Sequence, residues 1–238
     1  MIRIRAFRAP DDPETCEKFI TGHRKILEIY YGIIKITSDN TEWVNDPHCI
    51  VIVAEDPDTQ KIFGGAKVQA VGGKYPLPVE TALSKYDSRI HDLIYNDFLN
   101  GGTCEICGLW NSKEIAGMGI GSRLLSEVSI AITSQITVSS LYVLCAPSTV
   151  RMAYKMGLKL VDTIGNNGTF YYPKDNFIAT LMKLHNIHDL SLATEEEREN
   201  IIQLRENTNQ ILWQSGPKGM YQAMFDTKIL NWVPPEIY

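Results

Sequence analysis

Between residues 104 and 134 the sequence reads strand, glycine-rich turn, helix, and this order restricts the chain more than any other feature. Residues 104–110 are an apolar run of strand length, and residues 119–134 place Ile120, Leu124, Leu125, Val128 and Ile132 on one helical face. Between them lie Gly117, Met118, Gly119, Ile120, Gly121 and Ser122. A helix start leaves backbone N–H groups without intrahelical acceptors, its dipole favours negative charge, and glycines admit an anion closer than a Cβ would allow. The stretch is therefore a candidate diphosphate cradle. It is not a Walker loop, because Gly121-Ser122-Arg123 has no lysine before the hydroxyl, and it does not open the first βα unit, as a dinucleotide fold requires. An isolated G-x-G-x-G fits equally well a helix start whose glycines only permit close packing, so the neighbouring segments carry the discrimination.

Upstream, residues 2–8 read as a strand, followed by a helical pattern through Phe19, Ile26 and Ile29 and a polar break around Ser38, Asp39 and Asn40. Residues 49–54 and 61–71 form a hairpin across Asp56-Pro57-Asp58, and a helical pattern over 76–100 ends at Asn100-Gly101-Gly102. Downstream come a strand over 141–146, a short helix over 147–156 stopped by Gly157, and two apolar segments, 158–164 and 169–172. The turn Gly165-Asn166-Asn167-Gly168 between those segments predicts a closing hairpin. The alternation of α and β elements makes residues 1–183 one α/β domain. Residues 184–238 read as a C-terminal helical extension packed on it, with Thr194 and Glu197 as a capping box for a helix through Leu204 and Ile211.

With 238 residues, a net charge of −5 and no basic run, the chain offers nucleic acid no global attraction. No stretch approaches the ~20 apolar residues of a membrane span, and the start Met1-Ile2-Arg3-Ile4-Arg5 lacks a secretory pattern. A cytoplasmic protein without membrane contact is expected. Five cysteines in apolar segments suit a reducing compartment. Cys104 and Cys107, three apart on a strand, face opposite sides roughly 10 Å apart, too far to share a metal or a disulfide. His185 and His188 lack accompanying ligands and read as surface histidines, so no metal is expected.

The run from Glu105 to Leu125 resembles the central motif of the GCN5-related N-acetyltransferase superfamily, Gln/Arg-x-x-Gly-x-Gly/Ala, and Tyr154-Lys155-Met156-Gly157-Leu158 is similar to its later Tyr-x-x-Gly-Phe motif. The resemblance implies a mixed, mostly antiparallel central sheet flanked by helices, with central strands 104–110 and 141–146 splayed around the pantetheine arm of acetyl-CoA, a co-substrate. It implies that Leu109, Trp110 and Asn111 pair with that arm and that Gly117, Met118, Gly119, Ile120, Gly121 and Ser122 hold the pyrophosphate. Ala116 departs from the motif's Gln or Arg, which removes one side-chain contact and leaves the amides.

N-acyl transfer needs a base for the amine, a donor for the oxyanion and an acid for the thiolate. Glu105 resembles the family's glutamate base, and its alternative is a strand-end carboxylate paired with Lys or Arg. Tyr154 resembles the tyrosine acid, and its alternative is an amphipathic tyrosine on a short helix. Arg151, Lys155 and Lys159 read as a solvated face or as added charge near the phosphates. Tyr30, Tyr31 and Trp43 fall where the family builds acceptor pockets, or pack within the core.

The order Arg24, Glu28, Asp46, the hairpin with Gly64-Gly65-Ala66-Lys67, then Tyr75-Pro-Leu-Pro resembles the acyl-homoserine-lactone synthase and N-acyl amino acid synthase branch over about the first 160 residues. Gly108 stands where that branch has arginine, and Lys67 where it usually has arginine. The simplest expected activity is acetyl transfer from CoA to a small-molecule or peptide amine in a ternary complex. An autoinducer-type synthase using long-chain acyl-CoA or acyl carrier protein, and a non-catalytic acyl-CoA binding module, are the alternatives. A homodimer interface is one role open to the tail.

Overall fold

The structure, a computed structural model, describes residues 1–34 and 41–235. The polar break expected around Ser38 lies outside the described residues. One sheet runs through the molecule in the order β6-β8-β5-β4-β3-β2-β1-β10-β9, with β7 beside β6 on the outer edge of β8. Its strands are β1 (Ile2–Arg8), β2 (Cys49–Glu55), β3 (Ile62–Ala70), β4 (Thr103–Asn111), β5 (Ser140–Cys145), β6 (Lys159–Leu160), β7 (Thr169–Tyr171), β8 (Ile178–Leu184), β9 (Asn209–Gly216) and β10 (Gly219–Asp226). Neighbours are antiparallel except β4 with β5 and β1 with β10.

Both faces are covered, which is why every residue of β2 is buried and why that strand reads as an unbroken apolar run. On one face Ile52, Val68 and Ile106 meet α4 (Leu125–Ile132) and Phe225 of β10. On the other, Val51 and Val53 pack under α1 (Pro13–Tyr31) with Phe19, Trp43 and Trp110. Helices α2 (Pro78–Leu83) and α3 (Arg89–Leu99) cover the same face beside Tyr142. Each fully buried aliphatic side chain contributes about 1.5–3 kcal/mol of transfer free energy, so residues of α4 such as Leu125, Val128 and Ile132 anchor the glycine loop that precedes them.

Helix α1 bears on the site and has well-defined ends. Asp12 accepts a hydrogen bond from the Thr15 N–H at 3.0 Å, Pro13 opens the helix, and Gly32 closes it with φ of +57°. Gly22 in its middle costs about 1 kcal/mol of helix propensity. The reason is contact: a Cβ there would lie 2.1 Å from the Trp110 ring, so α1 and β4 meet directly.

Three expectations change. Segments 158–164 and 169–172 do not pair with each other; β6 and β7 both pair with β8, which the sequence reading did not identify as a strand. The helix expected to run through Ile211 stops as α6 (Glu195–Glu206), because Thr194 caps its start and Asn207 ends it in extended backbone. Beyond it the tail is β-hairpin rather than helix. Ala223 and Phe225 are buried while Ile211 and Trp213 are exposed, a period-2 pattern that attaches β10 to β1.

Candidate active site

β4 and β5 run side by side for three pairs only, Thr103 with Ser140, Cys104 with Leu141 and Glu105 with Tyr142. Past that point β4 changes register: Cys107 opposes Lys67 while Trp110 opposes Gly65, so three steps on β4 match two on β3. The extra residue falls at Gly108, whose φ of +61° is a bulge conformation that a side chain would strain. The bulge bends β4 away from β5, and the edge of 106–111 facing the gap has no strand partner. Backbone N–H and C=O groups on such an edge are free to pair with an extended ligand.

A cavity of about 250 Å³ occupies the gap. Leu109 and Val143 line it from the two parted strands, and Ile130 of α4 with Met152 and Met156 around α5 (Val150–Lys155) line it from one face. From the other face α1 contributes His23, Leu27 and Tyr31. The walls are mainly apolar. Among the polar side chains in the lining are His23, Ser126, Ser148, Thr149 and Tyr172.

At the end of β4 the glycine loop is built for close approach. Gly117 and Gly119 have φ of +80° and +79°, and a Cβ on Gly121 would lie 2.4 Å from Asn111 Oδ1. Ile120, Gly121 and Ser122 open the wide helical turn Ile120–Leu124 that continues into α4, so their N–H groups lack intrahelical acceptors. The C-terminal hairpin supports the loop from outside. The Lys218 N–H donates to the Gly117 carbonyl at 2.9 Å, and a Cβ on Gly216 would fall 2.2 Å from the Met118 carbonyl carbon. Arg123 is not available to an anion, since Glu196, Glu127 and Glu197 hold its guanidinium at 2.7, 3.2 and 3.2 Å.

The expected catalytic pair does not reach the cavity wall. Glu105 faces α2, buried, where it accepts the Val79 N–H at 2.7 Å. Burial pushes its carboxyl up to about 8, opposed by that hydrogen bond and by the nearby Lys67 charge. Lys67 is itself 2% exposed; it donates to Gln69 Oε1 at 3.0 Å and stands 4.6 Å over the Trp43 ring. Tyr154 is exposed and faces solvent, whereas Ala153, one residue earlier, lines the cavity; one helical step turns a side chain by about 100°. Arg151, Lys155 and Lys159 are exposed as well. Of the three aromatics considered for the acceptor side, Tyr31 lines the cavity, Tyr30 is exposed and Trp43 is buried in the core.

The reading from sequence missed His23, Met152 and Met156. His23 had a usable signal, because Cys16, Phe19, Ile20 and His23 continue one buried stripe of α1. Cys104 belongs to the core on the α4 side, while Cys107 borders the cavity. Among the described residues no group of three His, Cys, Asp or Glu side chains has the arrangement of a metal site, and no helix is long and apolar enough to cross a membrane.

No protein-family model and no curated protein sequence matches this chain. Solved structures do. FeeM, an N-acyl amino acid synthase from uncultured soil microbes, is 11% identical with a TM-score of 0.56, covering 82% of this chain and 96% of its own. BjaI, a CoA-dependent acyl-homoserine lactone synthase solved with SAM and isopentyl-CoA, is 8% identical with a TM-score of 0.54, covering 84% and 90%. An N-acetyltransferase from Staphylococcus aureus Mu50 is 14% identical with a TM-score of 0.48, covering 79% and 99%. Together with the splayed strands, the bulge and the glycine loop, the likenesses to FeeM and BjaI establish that this chain has the GCN5-related N-acetyltransferase fold, the fold shared with acyl-homoserine lactone and N-acyl amino acid synthases.

Proposed function

We propose that this protein transfers an acyl group from coenzyme A to an amine by direct attack in a ternary complex. The observation that carries the reading is the cavity between the parted strands, with unpaired backbone on the β4 edge and the glycine loop at the strand's end. In this reading the amides of 117–122 hold the pyrophosphate, the edge at Leu109, Trp110 and Asn111 pairs with the pantetheine arm, and an N–H near the bulge polarises the thioester carbonyl. FeeM and BjaI, described as acyl synthases, support the chemistry by analogy of fold.

The simplest donor is acetyl-CoA, yet the wall favours a longer chain. Ile130, Val143, Met152 and Met156 give the cavity an apolar wall that a longer acyl chain would cover more fully than a two-carbon group does. Glu105 is the buried base candidate and, standing behind the wall, would act through an intervening group. Tyr154 is the weaker acid candidate, since its side chain is half exposed and does not line the cavity. The test is a thermal-shift series with coenzyme A and acetyl-, hexanoyl- and dodecanoyl-CoA, followed by thiol release over an amine panel. A rise in melting temperature that grows with chain length, with turnover, is expected. No rise with any of the four ligands would overturn the reading.

A further inference from the structure

Three groups deserved to be the proton acceptor on geometry: Glu105, Lys67 and His23. Glu105 and Lys67 are sealed within the sheet face, and only His23 reaches the cavity. Its placement is specified by packing. The ring stacks on Phe19 with centroids 6.3 Å apart and planes at 24°, and Gly22, the next residue back, seats α1 against Trp110. A Cβ on Gly108, at the bulge, would lie 3.9 Å from His23 Cε1, ordinary van der Waals contact, so the imidazole stands beside the backbone proposed to polarise the thioester.

We propose that His23 is a catalytic residue of the acyl transfer, taking the proton from the attacking amine and returning it to the departing sulfur. This rests on the acyl-CoA reading of the cavity. The amine lone pair forms the new C–N bond at the thioester carbon, the C–S bond breaks, and its electron pair leaves with sulfur. An acceptor that arrives as ammonium first gives one proton to a ring nitrogen of His23, which frees that lone pair; the imidazolium passes this proton to the thiolate and the second nitrogen proton leaves to solvent, giving amide, coenzyme A thiol and one released proton. One ring thereby serves as base and then as acid. Imidazole suits both steps because its ordinary titration falls between pH 5 and 8. The other ionisable groups toward this region are Tyr31, Tyr172, Cys107 and Cys145 in the cavity wall, with Lys67 and Glu105 behind Cys107.

The experiment uses the full chain, hexanoyl-CoA and two small nucleophiles: methylamine, protonated at neutral pH, and hydroxylamine, which is not. His23→Gln is expected to slow thiol release to methylamine about hundredfold, with a much smaller loss for hydroxylamine, and to remove the lower limb of the rate–pH profile. The melting shift with coenzyme A stays. Equal slowing of both nucleophiles, or an unchanged profile, overturns the proposal. A readout independent of acceptor and turnover is the NMR signal of the His23 ring, identified by its absence in His23→Asn. It is expected to move when hexanoyl-CoA saturates the wild-type protein. An unmoved ring in the presence of bound hexanoyl-CoA overturns the role of His23 and leaves the acyl-CoA reading standing, whereas no melting shift with hexanoyl-CoA overturns that reading itself.

Discussion

The two sides of β4 are built in different ways. Toward α4 the site is backbone: three glycines, a helix start and a strand edge, all within about twenty residues of sequence. Toward α1 it is side chains brought from far apart, with His23 of α1 in the cavity wall and Lys67 of β3 and Glu105 of β4 buried behind Cys107. A cofactor common to many acceptors suits the first construction, because amides do not depend on side-chain identity. An acceptor particular to one protein suits the second. The contrast predicts that damage on one side abolishes binding while damage on the other abolishes chemistry.

The largest effect is expected at Gly119→Val. A Cβ at φ of +79° would lie 2.9 Å from the Ser215 carbonyl oxygen, a backbone atom that cannot swing aside. Strain and overpacking of about 1–3 kcal/mol would displace the loop, so coenzyme A affinity should fall about tenfold to hundredfold by thermal shift or calorimetry. Unchanged affinity would show that the loop is structural only. Next comes Gly22→Ala, whose Cβ at 2.1 Å from the Trp110 ring forces α1 outward. Its overpacking cost is also about 1–3 kcal/mol, but here coenzyme A affinity should survive while turnover drops about tenfold. Loss of both together would erase the proposed division between the two sides.

The same division explains how much the sequence disclosed. Strand, loop and helix around Gly117 were legible because a glycine turn at a helix start is local and its glycines answer to backbone geometry. The parting of β4 from β5 was legible through resemblance. The exposure of Tyr154 was not legible, because a motif matched by spacing does not report rotation on a helix of six residues, where Ala153 takes the cavity position. β8 and the β9–β10 hairpin were not identified because strand pairing partners are distant in sequence, and β8 lies between β5 and the two short strands that precede it in the chain. The hairpin had its own signal in Gly216-Pro217-Lys218-Gly219, a turn between alternating segments.

Glu105→Gln separates the buried face from the cavity by pH. The folded carboxyl titrates at about 8 against an ordinary value of 4.5, so between those values the folded protein holds a proton that the unfolded chain releases. Stability therefore falls as pH rises through this window, by a total on the order of a few kcal/mol, and is level on either side. Glu127, also raised by burial, slopes the same way and remains in the variant. Glutamine can still accept the Val79 N–H, so the variant's melting temperature should decline less than the wild type's between pH 5 and 8. Parallel curves would mean that Glu105 is ionised in the folded protein at neutral pH. In kinetics the variant should keep the lower limb assigned to His23 and lose any limb near 8.

The smallest effect is expected at Tyr154→Phe. The tyrosine is 48% exposed, its hydroxyl has no hydrogen-bond partner among the described residues, and its neighbour Ala153 occupies the cavity side of α5. If His23 returns the proton to sulfur, removing the Tyr154 hydroxyl should change thiol release by no more than about twofold, and stability by about ±0.5 kcal/mol as for other surface substitutions. Measured beside Ala153→Val, which narrows the cavity directly, the comparison isolates the face of the helix. A loss of tenfold or more at Tyr154, with coenzyme A binding intact, would mean that α5 turns by about one residue when ligand binds, bringing position 154 where 153 now stands. Proton return to sulfur would then belong to the tyrosine, and His23 would keep only the first of its two steps.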